Sequence, residues 1–211
     1  MKNNVTFSIG NVALINKVNE KYRLFDKLFD NLETKAKNIK NSAKLLSYNR
    51  LGDCVSINQL SSVYPEELFK RLGYKKMPAD RSLYRDLERI GIRVPFLQQR
   101  YQKVIKENNL ASEKQFMDFS SSYFEGHKSK LGELGYSRDH EPGKEQLTFG
   151  ISTGINNIPT ALTIQKGNVQ DKKHMKFMLK MVEHLLKDDS MLIFDCGGNT
   201  AKVKKKIRKM R

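Results

Sequence analysis

The chain has 211 residues, 38% of them hydrophobic and 9% aromatic with no tryptophan, which is enough for one full domain and a smaller one with an ordinary core. Its 39 Lys+Arg against 23 Asp+Glu leave a formal charge of +16, so the partner to expect is a polyanion, held through its phosphates. Two distant cysteines, Cys54 and Cys196, form no CxxC and have no histidine at metal spacing, so neither a disulfide framework nor a zinc site is indicated, and no apolar run nears the roughly 18 residues of a membrane-spanning helix. No secretory signal follows Met1, and a reducing cytoplasm is the expected location.

In chain order, apolar positions at Val18, Tyr22, Phe25, Phe29 and Leu32 predict one helix over 12–32, and Ile39, Ala43 and Leu46 a weaker one over 33–48. Gly52 and Asp53 interrupt the pattern. Three shorter helices are then expected over 65–72, 80–90 and 95–110, with Pro65 and Pro95 at helix starts and Gly73 and Gly91 just past helix ends. Helix, turn, helix describes 61–91. Within it, Leu83, Leu87 and Ile90 make the expected apolar face, while Arg81, Arg85 and Arg89 form a stripe one turn apart that can grip successive phosphates of DNA. Asp86 and Glu88 offer the arginines an intrahelical alternative.

From 112 the pattern changes to period two. Phe116, Asp118 and Ser120 are expected on one side of a strand and Met117 and Phe119 on the other. After a glycine-rich stretch over 126–144, strands are expected over 146–152 and 160–165 around a turn at 154–159. Asp171 opens a helix with Met175, Met178, Leu179, Val182 and Leu186 as its buried stripe, and can also cap it. The run Met191 to Phe194 is a buried-type strand that ends on Asp195 before a glycine pair, and from Thr200 a basic helix carries Val203 and Ile207 on one face. The whole reads as an all-helical region over 1–111 followed by an α/β region over 112–211. Asp is disfavoured within strands, so Asp118 and Asp195 stand out as metal-binding carboxylates.

Four pieces in this order resemble the DDE transposases of insertion sequences: Asp118-Phe119-Ser120-Ser121-Ser122-Tyr123-Phe124-Glu125-Gly126, Leu134-Gly135-Tyr136-Ser137-Arg138-Asp139-His140, Gly167-Asn168-Val169-Gln170-Asp171, and Phe194-Asp195-Cys196-Gly197-Gly198-Asn199-Thr200. The resemblance covers mainly 118–200. It implies a mixed sheet of ribonuclease H-like fold, present in part, with the first and second catalytic aspartates on adjacent strands, here Asp118 and Asp195. It further implies Mg²⁺ or Mn²⁺ as cofactor, with two ions roughly 4 Å apart serving an in-line attack on a phosphodiester, and substrate contacts from Tyr136, Arg138 and His140. Double-stranded DNA is the implied partner, homo-oligomer formation is open, and the implied setting is the nucleoid.

The third acid of such a site has no counterpart, because residues 196–211 contain no Asp or Glu, and neither Glu125 nor Asp171 matches its position. The expectation is therefore a transposase, an enzyme by family, truncated after its second aspartate and inactive alone. The alternative is a non-catalytic DNA-binding protein that regulates an intact transposase.

Overall fold

A computed structural model describes residues 9–32, 39–126, 129–136, 140–195, 197 and 199–209. They form two compact units, Met1–Val104 and Ile105–Arg211. Among the described residues there are eight α-helices and one four-stranded mixed sheet, so the α/β class is as expected.

In the first unit the helix expected over 12–32 divides into α1 (Gly10–Tyr22) and α2 (Leu24–Phe29). The break is local chemistry. Arg23 adopts the left-handed conformation (φ 51°), and the Asn19 side chain accepts from the Phe25 N–H at 2.8 Å, replacing a helical partner. The far end of α2 is also held, since the Arg100 guanidinium donates to the carbonyls of Lys27, Leu28 and Asp30 at 3.2, 3.2 and 2.6 Å. Helix α3 (Ile39–Leu51) buries Ile39, Ser42, Leu45 and Tyr48, a face turned from the expected Ile39, Ala43 and Leu46. A polar residue, Ser42, sits on its inner side.

Short helices α4 (Leu60–Val63) and α5 (Glu66–Arg71) follow, and α5 is bracketed by Pro65 and Gly73 as expected. Then comes α6 (Asp80–Glu107), one continuous helix of 28 residues in place of the two expected around Gly91 and Pro95. The bond Pro95 forfeits is the one to the Gly91 carbonyl four residues back. Its ring therefore crowds the residue with the freest backbone, which lets the helix run on. Residues 72–79 join α5 to α6, a longer link than the three- or four-residue turn of a DNA-binding helix-turn-helix.

The inner face of α6 corrects the expected one, because Leu83 is buried but Leu87 is exposed, and the acid Asp86 is buried in its place. Asp86 accepts from Ser42 Oγ at 2.7 Å and pairs with Arg89 at 3.1 Å, while Ser42 Oγ lies 2.7 Å from the Tyr74 hydroxyl. This satisfied polar knot sits beside a core of Phe25, Leu45, Tyr48, Leu60, Phe69 and Leu83.

The second unit is built on β1 (Lys114–Tyr123), β2 (Gln146–Gly154), β3 (Pro159–Lys166) and β4 (Met191–Phe194), in the order β3-β2-β1-β4. The first three strands pair antiparallel and β4 pairs parallel to β1. A parallel partner cannot be reached by a tight turn, and α7 (Asp171–Val182) makes the crossover from β3 to β4. Its Met175, Met178, Leu179 and Val182 pack with Met117, Phe119 and Ala161. Helix α8 (Ala201–Arg208), capped by Thr200 Oγ1 accepting from the Val203 N–H at 3.2 Å, adds Val203 and Ile207 to the same cluster. The other face of the sheet leaves Phe116, Ile151, Leu162, Ile164, Met191 and Ile193 exposed. Among the described residues no helix is long and apolar enough to cross a membrane.

Candidate functional site

Alternation along β1 sends Met117 and Phe119 into the α7 cluster and therefore turns Asp118 to the open face, where it is exposed. Its Oδ1 accepts from the Phe119 N–H at 2.8 Å, a contact that orients the carboxylate. The pairing of β4 with β1 runs Lys114 with Met191 through Met117 with Phe194. Carried one residue further, that register sets Asp195 beside Asp118. Leu192 and Phe194 lean on the α7 cluster and Ile193 is exposed, so alternation gives Asp195 the same face as Asp118. Neighbouring strands lie about 4.8 Å apart, within reach of a shared cation.

A second acid approaches Asp195 from α7. At Gly197 the point where a side chain's first carbon would stand is 2.9 Å from Asp171 Oδ2 and 3.3 Å from Asp195 Oδ1, so both carboxylates converge on a position that only glycine leaves open. Asp171 is the first residue of α7 and Gln170 the N-cap, without a side-chain capping bond, so the expected capping role of Asp171 is not the one it takes. Its charge suits the positive end of the helix. Glu125, the other nearby acid in sequence, is exposed and paired with Lys144 at 3.0 Å.

The second and third motif pieces are locked together by backbone contact. A β-carbon on Gly135 would stand 2.2 Å from the Gly167 carbonyl oxygen, and one on Gly167 would stand 2.1 Å from that of Gln146. Into this crossing the buried Gln146 amide donates to the carbonyls of Tyr136 at 2.8 Å and Gly167 at 3.1 Å. Beside it is a cleft of about 200 Å³ lined by Ser121, Tyr136, Thr148 and the 167–171 loop. Parts of all four motif pieces thus meet around this end of the sheet.

Tyr136 is 84% exposed, and His140 is exposed with a left-handed backbone (φ 56°), while Arg138 lies outside the described residues. The arginines Arg81, Arg85 and Arg89 belong to the helical unit and are exposed on α6. Arg89 is tied to the buried Asp86, which leaves Arg81 and Arg85 as the open part of that stripe.

Two residues near the site escaped sequence reasoning. His174, fully buried on α7, meets Thr163 Oγ1 at 2.7 Å and tilts against Phe119 at 4.9 Å, so it fixes the strand residue next to Asp118. Its place on the 171, 174, 178 stripe was the available signal. Gln146 acts through non-local neighbours and left none.

Among the described residues no group of three or more His, Cys, Asp or Glu is arranged to hold a metal ion. What is present is Asp171 and Asp195 converging at Gly197, with Asp118 opposite Asp195 where the β1–β4 register is extended by one residue. Their hard oxygen donors suit Mg²⁺ or Mn²⁺ and no softer metal. A scan against family models finds no match for the chain, and comparison with curated proteins and with solved structures finds none either.

Proposed function

We propose that the chain is a DNA transposase of the DDE type, acting on the ends of an insertion element with Mg²⁺ or Mn²⁺ held by Asp118 and Asp195 in a ribonuclease H-like sheet. The observation that supports the reading is the parallel pairing of β1 with β4, whose register, extended one residue beyond Met117 and Phe194, matches Asp118 with Asp195. When bound, the cation supplies Lewis-acid stabilisation of charge building on the attacking and leaving oxygens of a phosphodiester. The protein's part is to hold the two carboxylates on one face of a rigid sheet, with Phe119 clamped by His174 behind them. Water attacks phosphorus and the P–O3′ bond breaks, the water's proton passing to the leaving 3′-oxygen; the freed 3′-hydroxyl then attacks a target phosphodiester, forming a new P–O bond as the target P–O3′ bond breaks and its 3′-oxygen leaves as a hydroxyl. Arg81 and Arg85 on α6, with Tyr136, Arg138 and His140 near the sheet, are the residues assigned to DNA.

The resemblance calls for a third acid after Asp195, and no Asp or Glu occupies 196–211. These 211 residues alone are therefore expected to bind metal and DNA without completing strand transfer. Calorimetric titration with Mn²⁺ tests the site: Asp118→Asn and Asp195→Asn should each abolish the binding that the parent chain shows. Retention of full binding by both variants would remove the assignment. Metal-dependent joining of element-end DNA to a target by this chain alone would overturn the inactive-alone part.

A second reading, a non-catalytic DNA-binding protein that regulates an intact transposase, is supported by the formal charge of +16. It predicts DNA affinity that is indifferent to Asp118→Ala and to added Mn²⁺.

A further inference from the structure

We propose that the outer faces of α7 and α8 form a docking ridge for the phosphate backbone of duplex DNA, on the side of the sheet away from Asp118. The inner faces of both helices are spent on the sheet cluster, through Met175, Met178, Leu179 and Val182 on α7 and Val203 and Ile207 on α8. What α7 turns outward is Lys172, Lys173, Lys176 and Lys180, all exposed. Beside it α8 turns outward Lys202, Lys204, Lys205, Arg208 and Lys209, also exposed. Lys206 donates to the Lys176 carbonyl at 3.1 Å and ties the two rows together.

The ridge is cationic without local compensation. Helix α8 contains no acid, and the only one on α7 is Asp171 at its first position, beside Asp195. The unit pairs other lysines where acids are at hand, as in Lys166–Glu133 at 2.8 Å and Lys187–Glu113 at 3.0 Å. None of the nine outward cations has an ion-pair partner among the described residues. Holding them this close costs self-repulsion that a polyanion relieves by releasing its own counterions.

The spacing suits a phosphate track. Lys173, Lys176 and Lys180 follow one side of α7 over about 10 Å, the axial rise of about three phosphates along one DNA strand. Phe177, 48% exposed, stands between Lys173 and Lys180 one turn to either side and offers an apolar ring to a sugar face. Val203 and Ile207, the apolar face of α8, pack in the sheet cluster, so α8 presents no apolar face for insertion into a bilayer. A lysine row on helix backs reads no base edges, so the binding is independent of sequence.

This inference rests on the transposase reading only for the identity of the polyanion. The test is fluorescence anisotropy of the full chain with a duplex of arbitrary sequence, about 30 bp long, titrated across salt concentration. Two variants, Lys173→Gln/Lys176→Gln/Lys180→Gln and Lys204→Gln/Lys205→Gln/Arg208→Gln, change only exposed side chains, and circular dichroism checks their fold. Each should weaken binding at least tenfold at low salt and flatten the log–log salt slope by about two to three. Ridge variants that keep the parent affinity and slope, while Arg81→Gln/Arg85→Gln loses both, would overturn the ridge and leave the DNA reading standing. A parent chain that binds no duplex would overturn both. Loss of binding to phosphatidylserine vesicles, with duplex binding intact, would overturn the ridge in favour of a membrane surface.

Discussion

The helical unit and the sheet unit use carboxylates in opposite ways. Asp86 is 3% exposed and fully engaged, accepting from Ser42 and pairing with Arg89 at the edge of a core that also holds the Tyr74 hydroxyl. Asp118 stands exposed in the middle of a strand, bonded only to the next N–H, on a sheet face otherwise dominated by Phe116, Ile151 and Ile193. An acid that is buried and satisfied is explained by the fold it stabilises. An acid exposed where β-propensity disfavours it has no such explanation, and it is the one to which the proposed metal site assigns a role.

The contrast can be broken by mutation, and the largest effect is expected at Asp86. Asp86→Ala removes the acceptor of a buried hydroxyl pair and should cost about 3 kcal/mol in urea unfolding. A cost under about 0.5 kcal/mol would erase the distinction between the two acids. Next comes Gly167→Ala, whose new methyl meets the backbone oxygens of Gln146 at 2.1 Å and Glu133 at 2.4 Å, neither of which can swing aside. Overpacking of this kind should cost about 2 kcal/mol and lower Mn²⁺ affinity by disturbing the loop that leads into Asp171.

Alkaline titration sharpens the helical side of the comparison. Burial, with the nearby Asp86 charge adding to it against the Ser42 bond, pushes Tyr74 up to about 12 from its ordinary 10.0. Above pH 10 the unfolded chain releases a proton that the fold retains, so stability present below pH 10 should decline steadily as pH rises through 12. Tyr74→Phe should flatten that decline, and a slope unchanged by the substitution would show that Tyr74 is not its source. The smallest stability effect is expected at Asp118→Asn, within about 0.5 kcal/mol of the parent. The same variant should lose Mn²⁺ binding altogether, and this pairing of a large binding loss with no folding loss is the signature of a ligand-holding acid.

Local periodicity carried most of the element order. Period two marked β1 through β3, and the apolar stripe of α7 was legible down to Met175, Met178, Leu179 and Val182. Where it failed, a particular competing interaction explains the failure. Asn19 turned one expected helix into two, and α6 runs on through Gly91 and Pro95 because the bond the proline forfeits falls on the residue with the freest backbone. The burial of Asp86 and His174 was illegible because a polar residue on an inner face is recognised only by partners that lie far off in sequence, Ser42 in one case and Thr163 in the other.

By itself the amino-acid sequence determined the cationic character of the protein, the change from helical to alternating pattern near residue 112, and the identity of two aspartates lodged in strand-like surroundings. Composition and short-range spacing are enough for these, since each depends on residues a few positions apart. Only the tertiary structure decided that β4 pairs parallel with β1 just before Asp195, that Asp171 and Asp195 converge at Gly197, and that Lys206 of α8 reaches the Lys176 carbonyl of α7. Each of these is a meeting of residues brought together by strand register or helix crossover, and register is set by which faces find a core to bury in rather than by any local preference of the residues that meet.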